Sequence, residues 1–229
     1  MKVLAFDSSN KTLSVAIFDT NELLAEITIN IKKNHSVSLM PTIDFLMESV
    51  DLKPSDLNRI AVAQGPGSYT GLRVAVATAK TLAYSLHIDL VGVSSLYALA
   101  ASVASDGLII PIIDARRQNV YAGVYKAGQA LEADMYISFD MLIDKVKHKK
   151  NLVFVGETAN FSEKIAESLP QAKIIPSLPS AYEIGKLGQK LAAVDVDSFV
   201  PQYLKRVEAE ENWLKTHEGN NHPDYVKRV

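Results

Sequence analysis

One order of elements, βββαβαβα, can be read twice along this chain, and few folds accommodate that. In the first half, KVLAFD, LSVAIFDT and LLAEITINI are short apolar runs joined by polar turns, the pattern of an antiparallel meander. HSVSLMPTIDFLMESV then places Leu39, Ile43, Leu46 and Val50 at helical spacing, with Ser36 or Ser38 as a cap and Pro41 in the first turn. RIAVAQ reads as a buried strand, GPGSYTG as a loop, and the apolar stretch to residue 86 as a second helix. LVGV and SSLYALAASVA add a strand and a helix. LIIPIIDA, NVYAGVYK and ALEADMYIS start the second round, followed by FDMLIDKVK, LVFVG, NFSEKIAESL, AKII and a helix over 182–193. A repeat this long marks a duplicated domain and not a solenoid. The expected architecture is α/β, with two lobes of mixed sheet and a cleft between them. Residues 1–103 form the first lobe, 104–199 the second and 200–229 a tail, in which Trp213 is expected to pack on a lobe or a partner.

Composition narrows the classes of partner. The formal net charge is −2, without the basic excess of a dedicated nucleic-acid binder, so any such contact needs a local patch. The basic run KVKHKK at 145–150 reads as a solvated helix end, with an RNA contact as the alternative. No cysteine is present, and the histidines at 35, 87, 148, 217 and 222 form no i, i+4 pair, so no metal site is expected. No segment reaches the ~20 apolar residues of a membrane span. A cytoplasmic protein without membrane contact is expected.

The loop GPGSYTG sets Gly65, Gly67 and Gly71 around Ser68 and Thr70, directly before a helix. Free N–H groups at a helix start suit a phosphate or carboxylate. The spacing fits neither G-x-x-x-x-G-K-[ST] nor G-x-G-x-x-G, and Pro66 breaks G-x-S-x-G. The plainer alternative is a rigid turn with Ser68 or Thr70 as N-cap. Asp7 and Asp114 end the first strand of each half and are candidate cleft carboxylates, able to hold Mg²⁺ through water or to cap turns.

The helix after the loop has two faces. Leu72, Ala75, Val76, Ala79, Leu82, Ala83 and Leu86 form a core stripe. Arg73, Ala77, Lys80, Thr81 and Tyr84 lie elsewhere, and small residues with Tyr and Arg suit a helical interface. Met40 and Met47 on the preceding helix are expected to join them. Burial of both helices within the chain is the alternative.

LAFDSS, HS before a Leu-x-Pro helix, GPGSYTGLR, DARRQNVY and PQYLKR, in that order, resemble the TsaB (YeaZ) family over residues 1 to about 206. Tyr69, Ala75 and Thr81 stand where that family more often has Phe, Gly and Gly. The resemblance implies the actin-like (actin, sugar kinase, Hsp70) superfamily fold. It also implies a role in making N6-threonylcarbamoyladenosine next to the anticodon of tRNA. In that family TsaB is a non-catalytic partner of its paralogue TsaD, with the ATPase TsaE joining them, and the two helices after the first meander are the docking surface. The resemblance therefore implies Met40, Met47, Arg73, Ala77, Lys80 and Tyr84 as interface residues, and self-association through them in the free chain. It makes GPGSYTG a vestigial phosphate loop, with no tightly bound cofactor, ATP or ADP assigned to the junction with the partner, and tRNA reached through the complex. TsaD-like chains carry H-x-x-x-H after the second strand–helix unit. Ser95 and Leu99 occupy those places here, which implies no catalytic metal. An active ATPase or kinase of the same fold is the main alternative function, and a metallopeptidase the weaker one.

Overall fold

The computed structural model describes residues 1–20, 22–31 and 35–205. Strands β1 (Lys2–Asp7), β2 (Leu13–Asp19) and β3 (Glu22–Ile29) form the expected antiparallel meander. β4 (Arg59–Gly65) and β5 (Asp89–Ser94) extend it in parallel, giving the order β3-β2-β1-β4-β5. The second sheet repeats this plan. β6 (Leu108–Asp114) pairs antiparallel with β7 (Asn119–Ala122), which pairs with β10 (Met135–Ser138). On its other side β6 runs parallel to β11 (Leu152–Gly156), and β11 to β12 (Lys173–Ile175). The run NVYAGVYK does not stay one strand. It breaks at Gly123, and β8 (Tyr125–Lys126) and β9 (Gln129–Ala130) form a small side hairpin. A Cβ on Gly123 would stand 2.5 Å from the Tyr125 ring, so the break depends on a residue without a side chain.

Alternation along the strands sorts two layers onto the first sheet. Leu4, Phe6, Val15, Ile17, Ile60 and Val62 face α1 (His35–Ser49) and α2 (Tyr69–Leu86). Val3, Ala5, Ala16, Ala61 and Ala63 face the opposite way, onto α3 (Ser95–Ala101) and α6 (Ala181–Gly188). Helix α1 begins at His35, so Ser36 and Ser38 lie inside it and not at its cap, and Pro41 falls beyond the first turn. The second sheet carries α4 (Phe139–Val146) and α5 (Ser162–Ser168) around Phe139, Phe154 and Phe161. Among the described residues no helix is long and apolar enough to cross a membrane.

The two sheets divide near residue 104, but the helices do not divide with them. α6 comes from the second half of the chain and packs on the first sheet, with Ala181 and Ile184 against Val3, Ala5 and Phe18. It is also shorter than the expected 182–193. Close approach needs small residues on both sides: alanines on the sheet, and Gly185 and Gly188 on the helix. A Cβ at Gly188 would stand 2.6 Å from that of Ala61, and one at Gly185 would overlap the Phe18 ring. Gly185→Ala should therefore cost about 1–3 kcal/mol of stability by overpacking, read as a lower urea midpoint at unchanged m-value. A wild-type midpoint would show that Phe18 gives way freely.

After α6 the chain returns along the first lobe as a strap, residues 195–205. Phe199 enters its core, Lys80 Nζ donates to the Asp197 carbonyl (2.9 Å), and Gln64 Nε2 donates to that of Val200 (3.0 Å). Arg59 anchors the segment before the strap, with Nη1 donating to Gly188 O (2.8 Å) and Leu191 O (2.9 Å). The lobes are also tied by Ser94, whose Oγ accepts from the first N–H groups of α3 and donates to Asp134 of the second lobe (2.5 Å). The expectation for Trp213 and the tail 207–229 lies outside the described residues.

Candidate functional site

The glycine loop is clamped from two sides. Ser68, in extended backbone, caps α2 by accepting from Gly71 N (3.4 Å). Thr70 lies within the first turn and lines the cleft instead of capping. Ser68 N donates to the Ser9 carbonyl in the β1–β2 turn (2.6 Å), and Ser8 Oγ donates to the Gly71 carbonyl (2.9 Å). Side chains at Gly67 and Gly71 would overlap the carbonyl oxygens of Ser9 and Ser8. Gly65 alone of the three has positive φ, at 132°, and a Cβ there would lie 2.5 Å from the Gln202 carbonyl of the strap. The Gly65–Pro66 peptide is cis. The glycines thus let this loop seat between the β1–β2 turn and the strap. One donor of the loop, Ser68 N, is spent on the chain's own backbone.

The two aspartates are not a facing pair. Asp7 is wholly buried beneath the loop, does not line the cleft, and is corrected here from a cleft carboxylate to an internal one. Its Oδ1 accepts from Ser9 N (2.6 Å), while Oδ2 has no partner. Burial pushes its pKa up to about 6 against the opposing pull of the Ser9 bonds. The proton is held more tightly in the folded chain than at the unfolded value near 3.8. Stability is then fullest below that value and falls as pH rises towards 6, by up to ~3 kcal/mol. Asp7→Asn removes the charge, so it should gain about 1–3 kcal/mol at pH 7 and match wild type near pH 4. Urea unfolding at both pH values checks this, and an equal difference at both would assign the effect to packing.

Asp114 does line the cleft. Its Oδ1 accepts from Arg116 N (2.7 Å) and its Oδ2 from Asn160 (2.9 Å). Glu157, which sequence reading missed, accepts from Asp114 N (2.9 Å), and burial raises its pKa. Asp114 is therefore tied within the second lobe, while Glu157 also feels the charge of Lys11. The cleft has a volume of about 580 Å³ and also takes in Lys11, His35, Thr70, Arg116 and Lys205. His35 Nε2 donates to the Asn10 carbonyl (2.7 Å). Arg116, Arg117 and Gln118 all have φ between 52° and 67°, a left-handed turn without glycine. Such backbone is costly and is kept where the surrounding structure requires it.

A second feature lies on the outer side of the first lobe. α1 and α2 pack side by side, and their outward residues include Met40, Ala77 and Tyr84, the last 66% exposed. Val37 and Phe45, the latter 60% exposed, extend this apolar surface and were missed in the sequence. Met47 is corrected: it is only 5% exposed and belongs to the core beside Ile43 and Leu46. Arg73 and Lys80 sit on the flank of α2 towards the strap. The Arg73 guanidinium lies 4.4 Å from the Tyr69 ring centre and donates to the Tyr203 hydroxyl (3.3 Å). Lys80 is bound to the Asp197 carbonyl and so anchors the strap. Ser95 and Leu99 are buried in α3, Leu99 in the cluster between the lobes with Ile109 and Val155.

The family model of TsaD, the tRNA N6-adenosine threonylcarbamoyltransferase, matches residues 22–213. The tRNA threonylcarbamoyladenosine biosynthesis protein TsaB of Bacillus subtilis is 39% identical over 227 residues, 94% of this chain and 99% of the relative. TsaB of Buchnera aphidicola subsp. Schizaphis graminum is 29% identical over 164 residues, 68% of this chain and 78% of the relative. The structure of YeaZ from Pseudomonas aeruginosa aligns with a TM-score of 0.74 at 24% identity, covering 88% of this chain and 100% of that one, and so shares the fold. The doubled α/β architecture expected from the element order is the fold of this molecule, and YeaZ shares it. The chain belongs to the TsaB (YeaZ) family of tRNA threonylcarbamoyladenosine biosynthesis proteins.

Proposed function

We propose that this chain is a non-catalytic subunit that pairs with TsaD, and through it with TsaE, in forming N6-threonylcarbamoyladenosine next to the anticodon of tRNAs in the cytoplasm. The observation that carries this reading is the exposed apolar face of α1 and α2, with Val37, Met40, Phe45, Ala77 and Tyr84 outward on two neighbouring helices. Exposed apolar side chains grouped on two neighbouring helices are an expected docking site. In the free chain the same face would support a homodimer that TsaD displaces.

The chemistry of the cleft supports an activating role over a catalytic one. Asp7 is enclosed, Asp114 and Glu157 are tied to their own lobe, and the loop donor Ser68 N is spent on Ser9. Where ATP or ADP takes part, the junction with the partner is the place this reading assigns to it. The test mixes purified chain with TsaD and follows mass by light scattering, alongside ATP turnover by the chain alone. A complex that replaces the homodimer, with no turnover, is expected. Steady ATP hydrolysis by the pure chain, abolished by Asp7→Ala, would favour an active ATPase or kinase instead.

A further inference from the structure

Two clusters of rings and cations meet at the mouth of the interlobe cleft, and the strap joins them. On the first lobe Tyr69 stacks on Tyr203 with centroids 5.0 Å apart, and Arg73 lies over Tyr69. On the second lobe Lys205 Nζ lies 5.3 Å from the Tyr136 ring, and Tyr136 packs 5.6 Å from Tyr121. Tyr203 and Lys205 are close neighbours in the strap, so the clusters form one band. Tyr69, Tyr121 and Lys205 all line the cleft, beside Lys11 and Arg116.

The cations of this band are not locked in contact ion pairs among the described residues, and Lys11 acts electrostatically on Glu157 in the cleft. Among the described residues, no carboxylate lies within 4.0 Å of the side-chain nitrogens of Lys11, Arg73, Arg116 or Lys205. The basic run at 145–150 differs: Lys145 and Lys149 are paired with Glu132, and Lys147 with Asp144. The acids nearest the band, Asp114 and Glu157, accept hydrogen bonds from their own lobe. Tyr69 and Tyr203 are each 41% exposed.

We infer that this band is a contact surface for single-stranded RNA, of the kind a tRNA loop presents. Rings that stack on bases, set among cations that follow the phosphates, are how sequence-tolerant single-strand binding is built. An acidic protein partner would use the cations but gives no reason for a row of four tyrosines. The surface is separate from the apolar face of α1 and α2, touching it only near Arg73, so the two readings can fail independently. It also supplies the local patch that an overall charge of −2 demands of any RNA contact.

The experiment measures anisotropy of a fluorescent anticodon stem-loop RNA with the full chain, alone and in complex with TsaD. Circular dichroism and melting confirm the fold of each variant. One variant is Tyr203→Ala. A second, Arg116→Asn with Lys205→Gln, leaves the Tyr69–Tyr203 stack alone, and asparagine tolerates the left-handed backbone at 116. RNA binding should weaken with salt, at a log–log slope of roughly −0.7 per phosphate contacted. Tyr203→Ala should lower affinity about tenfold, the loss of one stacked base. The double variant should lower affinity and flatten the slope by about 1.4, two contacts' worth. Folded variants that bind RNA like wild type overturn the inference. So does loss of TsaD binding with RNA binding intact, which would assign the band to a protein. Duplex DNA of equal length binding equally well would reduce the band to a polyanion patch and overturn the stacking.

Discussion

Ala77→Glu should abolish pairing with TsaD and self-association while leaving the chain folded. Ala77 is exposed midway along α2, on the same face as Tyr84 two turns later. In the free chain a glutamate there is solvated and is a good helix former, so circular dichroism and the melting temperature should stay near wild type. In a docked complex the same carboxylate sits where two helices meet. Two helices of this length can cover roughly 800 Å² per partner, a standard stable interface, and their centre excludes water. A buried unpaired charge costs several kcal/mol, which is a loss of at least about a hundredfold in affinity. Lys80→Ala is the contrast. Its ammonium holds the Asp197 carbonyl of the strap, so it should change stability slightly and docking little. A folded Ala77→Glu chain that binds TsaD at wild-type affinity would place the interface on another surface.

Much of the fold was legible because local pattern and tertiary role coincide there. Period-2 alternation in KVLAFD and RIAVAQ sorts side chains to the two layers of a sheet, and the sheet does that with Leu4 and Phe6 on one side and Val3 and Ala5 on the other. The destination of α6 was not legible. Its amphipathic pattern says that it packs, and its position in the second half suggested the second sheet. The cue was composition: Gly185 and Gly188 one turn apart match a sheet face lined by alanines, and those alanines lie in the first half.

The site divides in a similar way. The cap at Ser68 and the outward set Met40, Ala77 and Tyr84 follow from helical geometry and were readable. Met47 was misplaced although Leu39, Ile43 and Met47 follow one another at steps of four residues, which puts it on the core stripe. Asp7 was read as a cleft residue because it ends a strand. The glycine loop is fastened over the end of β1 by the Ser68 N–Ser9 O and Ser8 Oγ–Gly71 O bonds, so Asp7 lies under it and not at the surface. Glu157 and the left-handed turn at Arg116 left no local mark: Arg-Arg-Gln carries no glycine to signal positive φ. The ring-and-cation band draws on residues from 11 to 205, and only the folded chain brings them together.

Gly71→Ala should be severe, because the clash it creates is with backbone on a rigid part of the fold. The added methyl would overlap the Ser8 carbonyl oxygen. Ser8 belongs to the β1–β2 turn, its side chain is fully buried, and its hydroxyl bonds the Gly71 carbonyl. Relief therefore requires α2 to move away from the turn. That movement would stretch the bond from Ser68 N to Ser9 O and disturb the packing of Leu72, Ala75 and Ala79 on the sheet. Alanine's better helix propensity returns at most about 1 kcal/mol. Overpacking against fixed atoms typically costs about 1–3 kcal/mol, and loss of the two buried hydrogen bonds about 1 kcal/mol each. A net loss of about 3 kcal/mol is expected, a large fraction of the stability of a single domain. It should appear as a fall in urea midpoint, with TsaD binding lost in proportion to the unfolded fraction. The contrasting position is Gly128, in the β8–β9 turn, where a side chain would meet nothing within 4 Å. Its φ of 74° suits asparagine, so Gly128→Asn should cost under about 1 kcal/mol. Equal losses at the two glycines would show that the loop yields as easily as an open hairpin turn, and that its fit against Ser8 and Ser9 does not hold α2 in place.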